Sequence, residues 1–451
     1  MEVGLTFCTE SFQFWRNRDE KSVYRISRQG KNILWQIRFV DKPTKLAGKN
    51  FVFEFGIEAN PVKPTPPQFR SWRVWFFDPF TIGHPWTIDQ KIKKYPGNGG
   101  FFTPEHTSMK AFRGEVKRFR DKGAELSLYL NPFLVSPEAT EYKIFRKEWR
   151  NPYNVYPQCP GSSFTDYIIW QIDDHIKRGG LQCVYVDSLG AYNCANELHG
   201  CGYIDEQGNQ KLTWPIRAMR NYMKRLYTLL HAPGRDQTKN YLWAHMSART
   251  SAPINAFVDF QCSGEELETE LIGNSNYLEH YNMDAYQVYY MPSSGVVPML
   301  LPNLGRTGPK AHRLNKDYND QVLALVLLHD SLIWNLWVDM SYVNNLYKKL
   351  DAFGWQDPAL KFHSYRTQKF VTASAPDTFI SVYTIGKRAL AVVVNKKKTA
   401  QTMNVSIDFK TLGINASAPL KDFRTGRKIT GNDLKNWQIK GYNFSLIQIG
   451  E

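Results

Sequence analysis

Residues 181–188 read LQCVYVDS, and this stretch decides the fold. From Cys183 to Val186 its residues are apolar without a break, and the run ends at Asp187, which opens a loop and not a helix. A sheet with one wet face alternates apolar and polar residues, whereas a continuous apolar run suits a strand covered on both faces. Three other short, largely apolar stretches also end in polar residues: ELSLYLNP at 125–132, YLWAHMSAR at 241–249 and FVDFQCSGEE at 257–266. Further apolar runs occupy 72–77, 296–301 and 332–337, and another is expected near 100–103. Amphipathic stretches at 109–122, 165–178, 214–230, 277–290 and 317–328 lie between them and predict helices. Buried strands alternating with helices predict the α/β class, here a (β/α)8 TIM-type barrel. No GxGxxG follows an early strand, so a doubly wound dinucleotide fold is not indicated.

The flanks differ. Residues 1–60 carry short period-two runs at 32–39 and 50–55, broken by Gly30 and by Lys42-Pro43, which predict an N-terminal β-sandwich segment. Pro61, Pro64, Pro66 and Pro67 mark a linker into the barrel, assigned to 61–354. Period two returns at 379–384, 389–395, 402–409 and 444–449, so 355–451 is expected to be a C-terminal antiparallel β-sandwich domain.

The 451 residues include 42% hydrophobic and 14% aromatic side chains, which excludes a disordered chain. A mean hydropathy of −0.45 and the lack of a long apolar run exclude a membrane-spanning helix. Lys and Arg number 57 against 42 Asp and Glu, a net charge of +15. Residues 361–451 hold 15 of the basic side chains and 5 of the acidic ones. Lys396, Lys397 and Lys398 are expected at a hairpin tip in solvent. The opening MEVGLTFCTESFQFW is not a signal peptide, which predicts a cytosolic protein, or a secreted or periplasmic one if its natural start lies upstream.

In a barrel the working groups follow the C-terminal ends of strands. By that rule Asn131 follows one run and Asp187 another, with Tyr192, His199 and Tyr203 in the loop beyond; His245 and Arg249 follow a third, and Glu265 and Glu266 a fourth. Asp187 and Glu265 thus face one cavity from the fourth and sixth strands. Glycosidic cleavage needs this arrangement: one carboxylate to attack or to activate water, and one carboxyl to protonate the leaving oxygen. Gly264 lets the backbone turn Glu265 inward, where a partly apolar pocket and the negative Asp187 are expected to favour its protonated form. Glu266, His199, Tyr192, Tyr203, His245, Arg249 and Asn131 are candidate sugar contacts. Trp86, Tyr153 and Tyr156 are further loop aromatics able to stack on pyranose faces, whereas Trp72, Trp75, Trp170 and Trp334 read as core.

The six cysteines are too sparse for a disulfide scaffold and include no CxxC pair. Cys183 reads as core, and Cys194 and Cys201 are either paired or free. Cys194, His199, Cys201 and His245 are zinc-binding residue types, but their spacing matches no standard zinc pattern, and the Asp205–Asn209 turn lacks the closing Glu of a calcium loop. No metal and no cofactor are therefore expected.

The strings FGIEANPVKP at 55–64, YVD at 185–187, HGCGY at 199–203 and Gly264-Glu265 give the chain a resemblance to a known group. It resembles the uncharacterised bacterial proteins grouped as glycoside hydrolase family 123-like (domain of unknown function 6067). The resemblance implies a β-sandwich, a catalytic barrel and a C-terminal β domain, with the sandwich shortened here. It also implies a glycosidase. The family's better-known relatives, the β-N-acetylgalactosaminidases, use an adjacent Asp-Glu pair and the substrate's acetamido group. Here the matching strand end reads Asp187-Ser188, so a two-carboxylate mechanism through Asp187 and Glu265 fits these residues better.

The expected partner is a carbohydrate, and an anionic glycan would suit the charge. A non-catalytic carbohydrate-binding protein on a degenerate barrel is the alternative, since fold alone never implies reaction. Basicity without a reading motif does not indicate nucleic acid.

Overall fold

The computed structural model describes residues 4–45, 48, 50–83, 109–135, 139–152, 158–246, 251–290 and 295–451. The expected strand near 100–103 lies outside them. Near the N-terminus, β1 (Gly4–Cys8), β2 (Tyr24–Gln29), β3 (Asn32–Ile37) and β4 (Gly56–Asn60) form two antiparallel pairs, β1 with β4 and β2 with β3. Gly30, at φ 61°, supplies the left-handed residue of the two-residue turn between β2 and β3. The expected strand at 50–55 is displaced to β4. The rings of Phe53 and Phe55 instead pack on Phe39 at 4.9 and 5.5 Å, so their alternation records ring packing and not a ladder.

Among the described residues the barrel strands are β5 (Ile82–Gly83), β6 (Glu125–Leu130), β7 (Cys183–Val186), β10 (Tyr241–His245), β11 (Phe260–Ser263), β12 (Val297–Leu300) and β13 (Leu332–Ile333). Between β7 and β10 lies a small antiparallel hairpin of β8 (Tyr203–Ile204) and β9 (Gln210–Lys211). The seven barrel strands follow one another in chain order and every neighbouring pair is parallel. Helices Met109–Arg120, Phe164–Gly179 and Ile216–Leu230 pack outside them. The run at 72–77 is not a regular strand, because Phe76 has φ 91°. It spans the gap between the outermost strands: the Trp75 amide donates to the Ile82 carbonyl at 2.8 Å, and the Trp334 indole donates to the Trp75 carbonyl at 3.3 Å.

The period of two divides each barrel strand. Leu126, Leu128, Leu130, Val184, Val186, Leu242 and Ala244 face the helices. Tyr185, Trp243, Phe260, Met299 and Trp334 fill the interior, with Trp243 and Phe260 stacked at 5.0 Å. The Trp243 indole donates to Ser127 at 2.7 Å, so its one polar atom is not buried unpaired. The expected core residue Trp170 is 53% exposed. Its helix buries Ile168, Ile169 and Ile172, and a residue two places from Ile168 points to the opposite side.

The C-terminal domain holds a six-stranded antiparallel sheet in the order Lys361–His363, Thr378–Ile385, Arg388–Asn395, Asn443–Ile449, Leu420–Asp422, Lys428–Ile429, and two antiparallel pairs, Val371–Ala373 with Val405–Ile407 and Gln401–Met403 with Trp437–Ile439. One face of its central strand, through Leu390, Val392 and Val394, packs on the barrel helix Lys316–His329. That helix carries an unbroken apolar run at 322–328 because it lies between barrel and sheet. Lys396–Lys398 do not form a hairpin tip. They cross from the strand Arg388–Asn395 to Gln401–Met403, which pairs with Trp437–Ile439, and Lys397 lies 3.9 Å from Asp377.

A buried ion pair joins the linker to this helix. Arg70 donates to both oxygens of Asp330, at 2.7 and 2.5 Å, and to the Leu360 carbonyl at 3.1 Å. Burial pushes the Asp330 carboxyl up, against the pull of Arg70. Truncating one partner leaves a buried charge alone, so Arg70→Leu is expected to cost about 3–5 kcal/mol, read from urea unfolding. A loss below about 1 kcal/mol would mean that water reaches Asp330.

Candidate functional site

Alternation along the barrel strands sets the site. On β7 the inward residues are Cys183 and Tyr185, and the next inward place is Asp187, one residue past the strand. By the same period β6 points Tyr129 inward and β10 points His245 inward. The three meet. The Tyr129 hydroxyl donates to Asp187 Oδ2 at 2.5 Å, and His245 Nδ1 lies 3.2 Å from Asp187 Oδ1. Ser188, left-handed at φ 57°, turns its amide back to donate to Asp187 Oδ1 at 2.8 Å. Burial pushes the Asp187 carboxyl up, but His245, Tyr129 and the Ser188 amide outweigh it and hold it below the usual carboxylate range.

The other nitrogen of the same imidazole faces the second carboxylate. His245 Nε2 lies 3.4 Å from Glu265 Oε2, and Arg306 contacts Glu265 Oε1. Glu265 follows β11 through Gly264, whose φ is 144° and whose added Cβ would stand 2.0 Å from the Leu301 carbonyl oxygen. Only glycine fits that turn. The surroundings of Glu265 differ from the partly apolar pocket expected, since a guanidinium and an imidazole stand against it. Asp187 and Glu265 are about one-quarter exposed, at 23% and 25% of their side chains, while His245 is buried between them. One buried ring thus links two accessible carboxylates from different strand ends.

The remaining candidates are placed as follows. Glu266 does not share the centre: its carboxylate accepts from the Gly264 amide at 2.7 Å and the Tyr281 hydroxyl at 2.8 Å, which folds it into its own loop. His199 is turned away from the carboxylates, with Nδ1 2.6 Å from the Glu148 carbonyl and Nε2 3.3 Å from Cys194 Sγ. The sequence offered both His199 and His245 as sugar contacts, and the fold gives them separate neighbourhoods. Tyr192 packs edge-on against Phe133 at 4.7 Å and donates to the Ser188 carbonyl at 3.3 Å. Tyr203 opens the β8–β9 hairpin, and buried Asn131 accepts from the Phe133 amide at 3.0 Å, closing the turn after β6. Arg249, Trp86, Tyr153 and Tyr156 lie outside the described residues.

Tyr129 and Arg306 were not singled out from the sequence. The period of two along β6 puts Tyr129 on the same face as Ser127, which was a usable signal. Arg306 comes from the loop after β12 and carried only its position beyond a strand end. No helix among the described residues is long and apolar enough to cross a membrane.

No family model and no curated protein matches the chain. Among solved structures it is similar to an α-amylase from Lactobacillus plantarum, at 10% identity and a TM-score of 0.53, over 85% of this chain and 100% of that one. It is also similar to an α-amylase from Geobacillus thermoleovorans solved with acarbose, at 9% identity and 0.49, over 77% and 82%. A maltogenic α-amylase from Thermotoga neapolitana gives 11% and 0.47 over the same shares. The Lactobacillus likeness extends over that whole chain, and the fold of this protein is a TIM-type barrel with β domains.

Proposed function

We propose that the protein is a glycoside hydrolase that cleaves a glycosidic bond in an oligo- or polysaccharide through Asp187 and Glu265. The observation that carries this reading is the pair of accessible carboxylates from two strand ends, joined by the His245 imidazole. Asp187, held as a charged carboxylate by three donors, acts as nucleophile or as the base that activates water. Glu265 delivers the proton to the leaving oxygen. His245 positions both. The likeness to an α-amylase fold and the resemblance to family 123-like proteins support the reading, and Ser188 beside Asp187 speaks against participation by a substrate acetamido group. The basic excess of the C-terminal domain suits a sulfated or uronic glycan, whose binding would weaken steeply as added salt shortens the Debye length.

A panel of aryl glycosides and natural glycans, assayed for turnover and for binding by calorimetry, tests this. Turnover on one class supports the proposal. The Arg306 contact on Glu265 favours a second reading, a carbohydrate-binding protein without cleavage, and binding without turnover would select it. Neither binding nor turnover across the panel would remove both.

Tyr129 supplies a prediction about pH. Its hydroxyl bonds the charged form of Asp187, so Tyr129→Phe should raise the Asp187 pKa from its depressed value. A base lost by protonation at higher pH moves the acid limb of kcat/KM upward. An unmoved limb in the folded variant would mean that the limb belongs to another group.

A further inference from the structure

We propose that Cys159, Cys194, His199 and Cys201 form a closed tetrahedral site for one zinc ion. The four ligand atoms lie within 4.8 Å of one another. The Cys159 and Cys201 sulfurs are 3.9 Å apart, and His199 Nε2 is 3.3 Å from Cys194 Sγ. Zinc–sulfur bonds of about 2.3 Å and zinc–nitrogen bonds of about 2.0–2.1 Å at tetrahedral angles place sulfurs about 3.8 Å apart and nitrogen about 3.6 Å from sulfur. The 3.9 Å between sulfurs and the 3.3 Å between nitrogen and sulfur are close to those of that cage. They do not match a disulfide, which requires about 2.05 Å. A disulfide would also leave the third cysteine and the histidine without a role.

The surroundings are built for metal-bound thiolate. The three cysteines are buried, at 0%, 0% and 6% exposure for Cys159, Cys194 and Cys201. The Gly161 amide donates to Cys159 Sγ and the Asn196 amide to Cys194 Sγ, each at 3.4 Å. His199 turns Nδ1 to the Glu148 carbonyl at 2.6 Å, which fixes the tautomer whose Nε2 lone pair faces the sulfurs. Gly200, left-handed at φ 75°, makes the turn that lets His199 and Cys201 converge. Asn196 ties this turn to the Lys147 and Arg150 carbonyls at 2.9 and 2.7 Å.

Three thiolates and one imidazole select zinc among common divalent ions, and four protein ligands leave no position for a substrate, so the ion is structural. It staples the loop that runs on from Asp187 to the segment preceding helix Phe164–Gly179. The inference does not depend on the glycosidase reading.

Full-length protein, expressed with zinc and purified without chelator, should hold about one zinc per chain by elemental analysis. Cys194→Ser and His199→Ala should each lose about tenfold or more of that occupancy, while Cys8→Ser, outside the cluster, should keep it. Should a variant fail to fold, the parent protein decides: stripped of metal and titrated with Co2+, it should develop the visible bands of tetrahedral cobalt and the near-ultraviolet thiolate band at one equivalent. No thiolate band, a disulfide among these cysteines in the peptide map, or unchanged zinc in both folded variants would each overturn the proposal.

Discussion

Asp187→Asn is expected to leave a folded, sugar-binding protein whose turnover is lower by about three to four orders of magnitude. The substitution conserves size, and the Ser188 amide keeps an oxygen to bond. What disappears is the charge, and with it the nucleophile or base and the electrostatic stabilisation of an oxocarbenium-like transition state. Because the loss falls on the transition state, kcat should drop while ligand affinity stays within a few fold. The comparison needs circular dichroism to establish folding, then kcat and a dissociation constant on the best substrate of the panel. A folded variant with near-parent turnover would remove Asp187 from the chemistry and leave it as an anchor for Tyr129 and His245.

The second large effect concerns Glu265→Gln. A group that protonates the leaving oxygen matters in proportion to how badly that oxygen leaves. Natural glycosides release an alkoxide and should lose about two to four orders of magnitude, the range attributed to general acid catalysis. Nitrophenyl glycosides release a stabilised phenolate and should lose far less. Equal losses on both substrate types would contradict the proton-donor role, and the Arg306 contact would then read as a permanent partner for a binding group. Glu266→Gln serves as the neighbouring comparison. Its carboxylate is bonded to Gly264 and Tyr281, so its loss should destabilise the loop without any dependence on the leaving group.

How much of this was legible can be argued residue by residue. The barrel strand at 183–186 showed itself because burial on both faces favours an unbroken apolar run, and the one at 125–130 because it is apolar apart from Glu125 and Ser127. The strand ends then pointed to Asp187 and Glu265, since loops after barrel strands converge on one face. The run at 72–77 misled, because composition does not reveal that Phe76 adopts a left-handed backbone. Trp170 misled for a different reason, since a large ring on a helix is assigned to core by type and to solvent by phase.

Composition and period alone determined that the chain is an α/β barrel between β segments, with a basic C-terminal domain and carboxylates at two strand ends. Each of those features depends on local chemistry: which residues bury, at what spacing, and where an apolar run stops. Only the tertiary structure decided that one His245 ring lies between Asp187 and Glu265, that Arg306 reaches Glu265, and that Cys159 joins Cys194, His199 and Cys201. Those contacts join loops far apart in sequence, and their geometry is set by how the barrel strands and the loops beyond them pack, which no local spacing along the chain records.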